Sequence, residues 1–585
     1  MNAATALFDV GAGLPDRPAV LFDGARITYH DLLRQAVAMA GLLRECGVGQ
    51  GDRVALFLPN CPHFMVGYYG TLALGGIAVS IGAASSLDEA LHVMRDSGAK
   101  VVLTTAEQGG RLAGALGEAV RLVLVDDAGP DGLDAPMASA VPLAAPVPVA
   151  PEAPAAIVYS SGTTGVPKGV VLSHRNVDFV ARSKVRYMGV GAQDRLLLFL
   201  PLHHCFGQNA IMHAAVAAGA SLVLQRRFAP DAVLAALSEE RVTMVFGVPS
   251  TFLALYDRLE PEHLASVRYW FCAAAALPRA LEDRWLARFG APIHQGYGLS
   301  ESSPFASYNH LDGPRPGTVG VPIDEVEMRI VDPESGAPLG AGSVGEIVIR
   351  GPNVMLGYWN RPQETAAAIR DGWLHSGDIG RMDADGFFTV EDRVKDMIIV
   401  GGENVYPAEV ENVVYEHSGV AEVAVYGAAE PYLGEEVRAR VVRRPGADIG
   451  ADAVMEICRR RLAPFKVPSL VEFAAELPKS PTGKVLKRVL RAEAAAAAAA
   501  RDGTAAELSV ADFVSGWLAE RLDIEAAALD PERPFVEYGV DSILGVALAR
   551  DLGASLQLDL DPTLVWQYPS LNTLASAIAE RRNQS

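Results

Sequence analysis

The segment Tyr159-Ser160-Ser161-Gly162-Thr163-Thr164-Gly165-Val166-Pro167-Lys168-Gly169 gathers hydroxyls, glycines and a lysine behind an apolar run, Ala155 to Val158. Glycine lets backbone N–H groups approach an anion, the hydroxyls donate hydrogen bonds, and Lys168 adds positive charge. The string therefore suits a phosphate cradle. It is not a Walker A loop, because Pro167 stands where that motif needs glycine before its lysine. A second candidate lies far along the chain, in Phe535-Val536-Glu537-Tyr538-Gly539-Val540-Asp541-Ser542. The helical pattern of Ile543, Leu544, Ala547 and Leu548 places Ser542 at an exposed helix N-terminus, where the dipole favours phosphate. Asp541-Ser542 would serve equally as a plain helix cap.

These candidates need elements to hold them. At 585 residues the chain is too long for one core, so several domains are expected. Residues 1 to about 130 alternate helical patterns with short apolar runs such as Arg53 to Phe57 and Lys100 to Thr104. That alternation predicts a layered α/β fold with buried parallel strands. From Gly129 to Pro154 the Pro/Ala-rich composition reads as an exposed connector. A smaller α/β unit follows Asp392 and ends near Arg491. The alanine run Ala494 to Ala500 shows no apolar face to bury and reads as a semi-rigid tether. The expected domains are 1–391, 392–491, a linker at 492–506, and a helical module at 507–585. That module has 13 acidic and 5 basic residues, a net charge of -8.

Composition excludes several classes. Half the residues are hydrophobic and 21% are charged, as in soluble globular chains. A net charge of -20 disfavours nucleic acid as partner. Cys46, Cys61, Cys205, Cys272 and Cys458 are odd in number and form no CxxC pair, pointing to reduced thiols and a cytoplasmic setting. The N-terminal MNAATALFDVGAGL does not resemble a signal peptide. Phe64 to Ser86 is uncharged, yet its glycines and the switch to Ile77-Ala78-Val79-Ser80-Ile81 favour a buried helix and strand over a membrane span.

Five further segments recur in order with the glycine-rich loop: Pro201-Leu202-His203-His204-Cys205-Phe206-Gly207, Gln295-Gly296-Tyr297-Gly298-Leu299-Ser300-Glu301, Trp373-Leu374-His375-Ser376-Gly377-Asp378, Asp392-Arg393-Val394-Lys395-Asp396, and Pro478-Lys479-Ser480-Pro481-Thr482-Gly483-Lys484. Through residues 20 to 490 the chain resembles the adenylate-forming superfamily of acyl-CoA synthetases, luciferases and peptide-synthetase adenylation domains. The resemblance implies ATP and Mg²⁺. It implies that Lys484 is the catalytic lysine bridging the substrate carboxylate and the α-phosphate, with Lys168 and the loop residues Ser160, Ser161, Gly162, Thr163, Thr164 and Gly165 on the phosphates. Tyr297 would stack on adenine, Ser300 would replace the family's usual threonine, and Glu301 would hold Mg²⁺. Asp378 would accept from the ribose hydroxyls with Arg393 assisting. Lys395 would be a hinge. His203, Phe246, Ala273 and Ala274 would line the acyl pocket, and His204 would flank its entrance.

The last module resembles acyl and peptidyl carrier proteins, in which the serine of G-x-D-S carries 4'-phosphopantetheine; here that is Ser542. The implied fold is a large α/β N-terminal adenylation domain, a small α+β C-terminal subdomain and a four-helix-bundle carrier. The implied partners are a carboxylic acid, a phosphopantetheinyl transferase, and a condensing or modifying enzyme acting in trans. Tethering would raise the effective concentration of the arm's thiol. Pro201 to Val216 contains no acidic residue to pair with an ammonium, which disfavours α-amino acids. Alanines at 273–276 replace the family's usual glycines and a proline, so a fatty or other apolar acid is expected, loaded onto the chain's own carrier. A CoA ligase or an aryl-acid-activating ligase is the alternative.

Overall fold

Uninterrupted aliphatic runs become strands buried on both faces, as in the strands Arg53–Leu58, Ile77–Gly82 and Val101–Thr104. In this computed structural model they belong to a seven-stranded sheet. The described residues are all except 1, 113, 117–119, 127–132, 161–166, 310–312, 394–395, 431–432, 481–482, 502–509, 523, 525–528, 541, 557, 559, 562 and 583–585. The chain forms two compact units, Met1–Val394 with Lys479–Lys484, and Lys395–Pro478 with Val485–Ser585.

The large unit holds three sheets. The seven-stranded sheet runs parallel from Pro154–Ser160 through Ile77–Gly82, Arg53–Leu58 and Val101–Thr104 to Arg121–Leu124. Lys168–Ser173 and Gly357–Tyr358 close its other edge antiparallel. A nine-stranded sheet carries Met244–Gly247, Tyr269–Cys272 and Ile293–Tyr297 side by side and parallel. A five-stranded antiparallel sheet pairs Trp373–Met382 with Phe388–Arg393. The helix Pro62–Ala73 and the strand Ile77–Gly82 are both buried in this unit, as the sequence predicted for Phe64 to Ser86. Among the described residues no helix is long and apolar enough to cross a membrane.

The helix His174–Met188 is fixed at both ends by its own sequence. Ser173 and Asn176 cap its start reciprocally, and Gly189 ends it in a left-handed conformation at φ +59°. Its buried face runs through Val177, Val180, Ala181, Lys184 and Met188, the helical repeat of an inward stripe.

Two expectations need correcting. The stretch before Pro154 is not simply an exposed connector. Ala140 and Val149 are buried, and Leu143 and Val147 donate backbone N–H bonds to the carbonyls of Val37 and Ala73 at 3.1 and 2.7 Å. Small residues let it lie flat on the helix Tyr29–Glu45, where Gly41 leaves room for the Val141 carbonyl. Nor does the alanine run lack a buried face. The helix Lys487–Arg501 extends through it, and Leu490 and Ala494 pack with Tyr426, Ala424 and Leu477. A methyl side chain one turn beyond Leu490 is enough to continue that contact.

The second unit contains a five-stranded sheet with Val420–Glu430 and Gly434–Arg443 as its long antiparallel pair. It also contains the helices Val510–Leu522, Ser542–Leu556, Leu564–Gln567 and Leu571–Arg582, whose shared core includes Val514, Leu518, Phe535, Leu548, Leu552, Leu564, Leu574 and Ile578.

Candidate active site

Antiparallel register sets Asp378 opposite Arg393. Arg393 Nε donates to Asp378 Oδ1 at 2.6 Å, and the Tyr297 hydroxyl donates to Oδ2 at 2.7 Å. The Asp378 N–H in turn donates to Ser376 Oγ at 3.0 Å. Asp378 is 6% exposed, so its charge needs a partner, and Arg393 supplies it. The Asp378 charge in turn raises the Arg393 guanidinium above its usual range. Burial first, then Asp378, holds the Tyr297 hydroxyl firmly protonated.

Tyr297 ends the strand Ile293–Tyr297, and the chain then turns tightly into Ser300–Ser302. Gly298 permits that turn, since an added Cβ would lie 2.3 Å from the Pro304 carbonyl oxygen. Glu301 Oε1 accepts from the Tyr358 hydroxyl at 2.9 Å, while no bond to Oε2 is formed among the described residues. The Lys168 ammonium sits 5.3 Å from the Tyr358 ring centre. Tyr358 thus joins Glu301 to Lys168, and the Glu301 charge also acts on Arg393, which ties that pair to Asp378 and Tyr297.

Ser161, Gly162, Thr163, Thr164 and Gly165 lie outside the described residues, as do Lys395 and the side chains of Ser160 and Ser542. The strand leading into the loop is anchored at Tyr159, whose hydroxyl donates to Asp96 Oδ2 at 2.7 Å. Arg361 pairs with the same carboxylate at 3.1 Å. Ser542 begins the helix Ser542–Leu556.

The other side of the site is aromatic. The rings of His203 and His204 lie 4.4 Å apart, and His203 stands against the end of the strand Ile77–Gly82, where a Cβ on Gly82 would meet its Nε2 at 2.9 Å. Burial pushes His204 down to about 4, and burial with the neighbouring His204 holds His203 well below its ordinary value, so both imidazoles are neutral. Surface area leaves both rings partly open, so their surroundings are protein on most sides rather than all. The Cys205 thiol, pushed up to about 12 by burial, donates to Ser300 Oγ at 3.3 Å and joins the two sides. Phe271 is the hub, with ring centres of Phe206 and Phe246 at 6.1 and 6.0 Å. Ala273 donates its N–H to the Gly247 carbonyl at 3.2 Å. Ala274 adopts φ +70°, a left-handed conformation that glycine would adopt without strain.

Phe206–His213 forms a π-helical turn, a rare geometry that leaves polar side chains inside. Gln208 Oε1, Asn209 Nδ2 and His213 Nε2 are buried there without hydrogen-bond partners among the described residues. The segment Lys479–Lys484 belongs to the large unit. Gly483 takes φ +81°, and an added Cβ would meet Val248 at 3.0 Å and Ser250 Oγ at 3.3 Å. Lys484 therefore follows a residue seated just beyond Phe246.

Sequence reasoning missed Tyr358, Ser376, Asp96 and Lys184. Tyr358 had a signal in Gly357-Tyr358-Trp359, an aromatic pair after a glycine. Lys184 had one too, a lysine in register with the apolar stripe Val177, Val180, Ala181.

Three family models match in chain order: AMP-binding enzyme at residues 7–359, AMP-binding enzyme C-terminal domain at 409–484, and phosphopantetheine attachment site at 512–578. A long-chain-fatty-acid–CoA ligase of Bacillus subtilis (strain 168) is 35% identical over 527 residues, covering 83% of this chain and 93% of that protein. A feruloyl-CoA synthase of Amycolatopsis sp is 38% identical over 491 residues, covering 82% and 96%. The ATP-bound crystal structure of MatB from Rhodopseudomonas palustris superposes with a TM-score of 0.79 at 32% identity, covering 84% of this chain and 99% of that one.

Proposed function

The chain belongs to the AMP-binding enzymes, adenylate-forming proteins, here with a C-terminal phosphopantetheine-attachment domain, and from that premise we propose that it is an acid–thiol ligase that loads its own carrier. The substrate is a carboxylic acid without an α-ammonium group. Its carboxylate attacks the α-phosphorus of ATP, an acyl-AMP forms and pyrophosphate leaves. Two anions must meet, so catalysis consists of aiming positive charge at the developing negative charge.

Lys484 serves that role, bridging the carboxylate and the α-phosphate. Lys168 and the loop Ser160 to Gly165 hold the outer phosphates. Asp378 takes the ribose hydroxyls on the lone pairs that Arg393 and Tyr297 leave free, and Tyr297 offers its ring to adenine. Glu301 fits Mg²⁺, which takes oxygen ligands and shares them with substrate phosphates; Tyr358 orients one carboxylate oxygen and leaves the other open. Held there, Mg²⁺ would supply positive charge to the phosphates. His203, Phe246, Ala273 and Ala274 line the acyl pocket, with the neutral His204 at its entrance. Lys395 is the hinge on which the small subdomain turns between the two half-reactions. The carrier is a four-helix bundle, and phosphopantetheine on Ser542 supplies the accepting thiol.

One observation carries this reading: Ser542 opens a helix within the phosphopantetheine-attachment match, on the same chain as the carboxylate–arginine–tyrosine cluster. The names of the relatives favour a second reading, in which free CoA is the acceptor. The test is to attach the arm to the purified chain and add ATP, Mg²⁺ and a pool of acids without CoA. Intact-protein mass spectrometry should show an acyl mass gain that Ser542→Ala lacks. Acyl-CoA made on adding CoA, with no gain on the protein, would favour the second reading.

A further inference from the structure

Lys184 is 2% exposed, on the buried face of the helix His174–Met188. Its ammonium lies 3.7 Å from the ring centre of Phe305 and 4.3 Å from that of Phe271. No carboxylate pairs with it among the described residues, and loss of water alone acts on it, pulling the amine well below its usual range. Two aromatic faces recover only part of the hydration an ammonium gives up. A fully buried lysine is charged only when an anion pairs with it, so this amine is neutral until an acidic group arrives.

The position of the missing anion follows from Phe271. That ring neighbours Phe206, Phe246 and the Lys184 amine alike. Lys184 therefore borders, through Phe271, the residues assigned above to the acyl pocket. An acid whose reacting carboxylate points at Lys484 would extend its far end along Phe246 and Phe271.

We propose that Lys184 binds an acidic oxygen at the far end of the substrate, so that the enzyme activates acids with an apolar body and a second acidic group, either a distal carboxylate or a ring hydroxyl. This rests on the acid-activating reading above and departs from the expectation of a wholly apolar acid. A distal carboxylate binds together with one proton taken up from water, which turns the amine that burial holds neutral into the ammonium it pairs with. A ring hydroxyl gives its proton to the neutral amine, and the resulting phenolate and ammonium pair in the same place. Methionine at 184 would keep the volume and remove the charge.

The test is acid-dependent ATP–pyrophosphate exchange by the full chain. The panel contains dicarboxylates, hydroxyaryl acids and methyl-capped analogues of each, matched in length. Wild type should favour an acid-tipped member over its capped analogue by about 100-fold in kcat/KM. Lys184→Met should erase that ratio while exchange with capped acids persists. Whether dicarboxylates or hydroxyaryl acids give the larger ratio identifies the source of the oxygen. A wild-type ratio near one, or a ratio that Lys184→Met leaves intact, overturns the inference and leaves the ligase reading standing. No exchange with any acid overturns both.

Discussion

On the polar side of the site, Asp378 accepts from Arg393 and Tyr297, its N–H reaches Ser376, and Glu301 is held by Tyr358. On the aromatic side, Gln208, Asn209 and His213 each keep a buried polar atom without a partner among the described residues, and Lys184 has rings where an anion would be expected. Nucleotide is the same in every turnover, so the groups assigned to it can be fixed in advance at no loss of choice. Selectivity among acids comes instead from groups left unsatisfied until the right ligand supplies what they lack, because an unpaired buried polar group penalises the wrong one. The contrast makes a general forecast. Changes on the polar side should affect all acids alike, and changes on the aromatic side should reorder them.

The largest effect is expected at Lys484. Lys484→Ala should lower kcat for pyrophosphate exchange about 1,000-fold for every acid tested; a loss confined to some acids would break the contrast. Asp378→Ala leaves Arg393 without its ionic partner and should cost about 3 kcal/mol of stability in urea unfolding. Ranking among acids should not change. Acid should strike the aromatic side. Burial holds His213 down to about 4 against an ordinary 6.5, so the unfolded chain binds its proton first as pH falls. Stability is full above about pH 6.5 and declines towards pH 4, by roughly 2 kcal/mol from this one group at pH 5. His213→Leu should remove that share of the slope between pH 7 and 5, and an unchanged slope would show the imidazole to be hydrated. The smallest effect belongs to Tyr358→Phe, which removes one bond to Glu301, about 1 kcal/mol. About five-fold more Mg²⁺ should be needed for half-maximal exchange, again for every acid.

How far these features were legible in the sequence follows from range. The parallel strands were, since a run such as Val54-Ala55-Leu56-Phe57 reads as buried on both faces without knowledge of its neighbours. The residues of the polar cluster were found through short motifs, but the bonds joining them were not. Asp378 and Tyr297 are 81 positions apart, and only the meeting of two sheets brings them within 2.7 Å. The helix through the alanine run was misread because its contact with Tyr426 is equally non-local. Lys184 was passed over for a different reason. A lysine within an apolar stripe normally marks the edge where a helix meets water, and nothing short of the packed structure reveals that this one does not.

Ser542 on the same chain as Lys484 also governs the arithmetic of turnover. On the proposed reading each molecule carries one acceptor, so loading proceeds at a rate that dilution does not change. Loading then stops once that one thiol is acylated. The next round waits until another protein discharges the thioester, and the pace of consumption downstream becomes the pace of activation. A chain of this design counts its own product and needs no separate inhibitor to keep activated acid from accumulating.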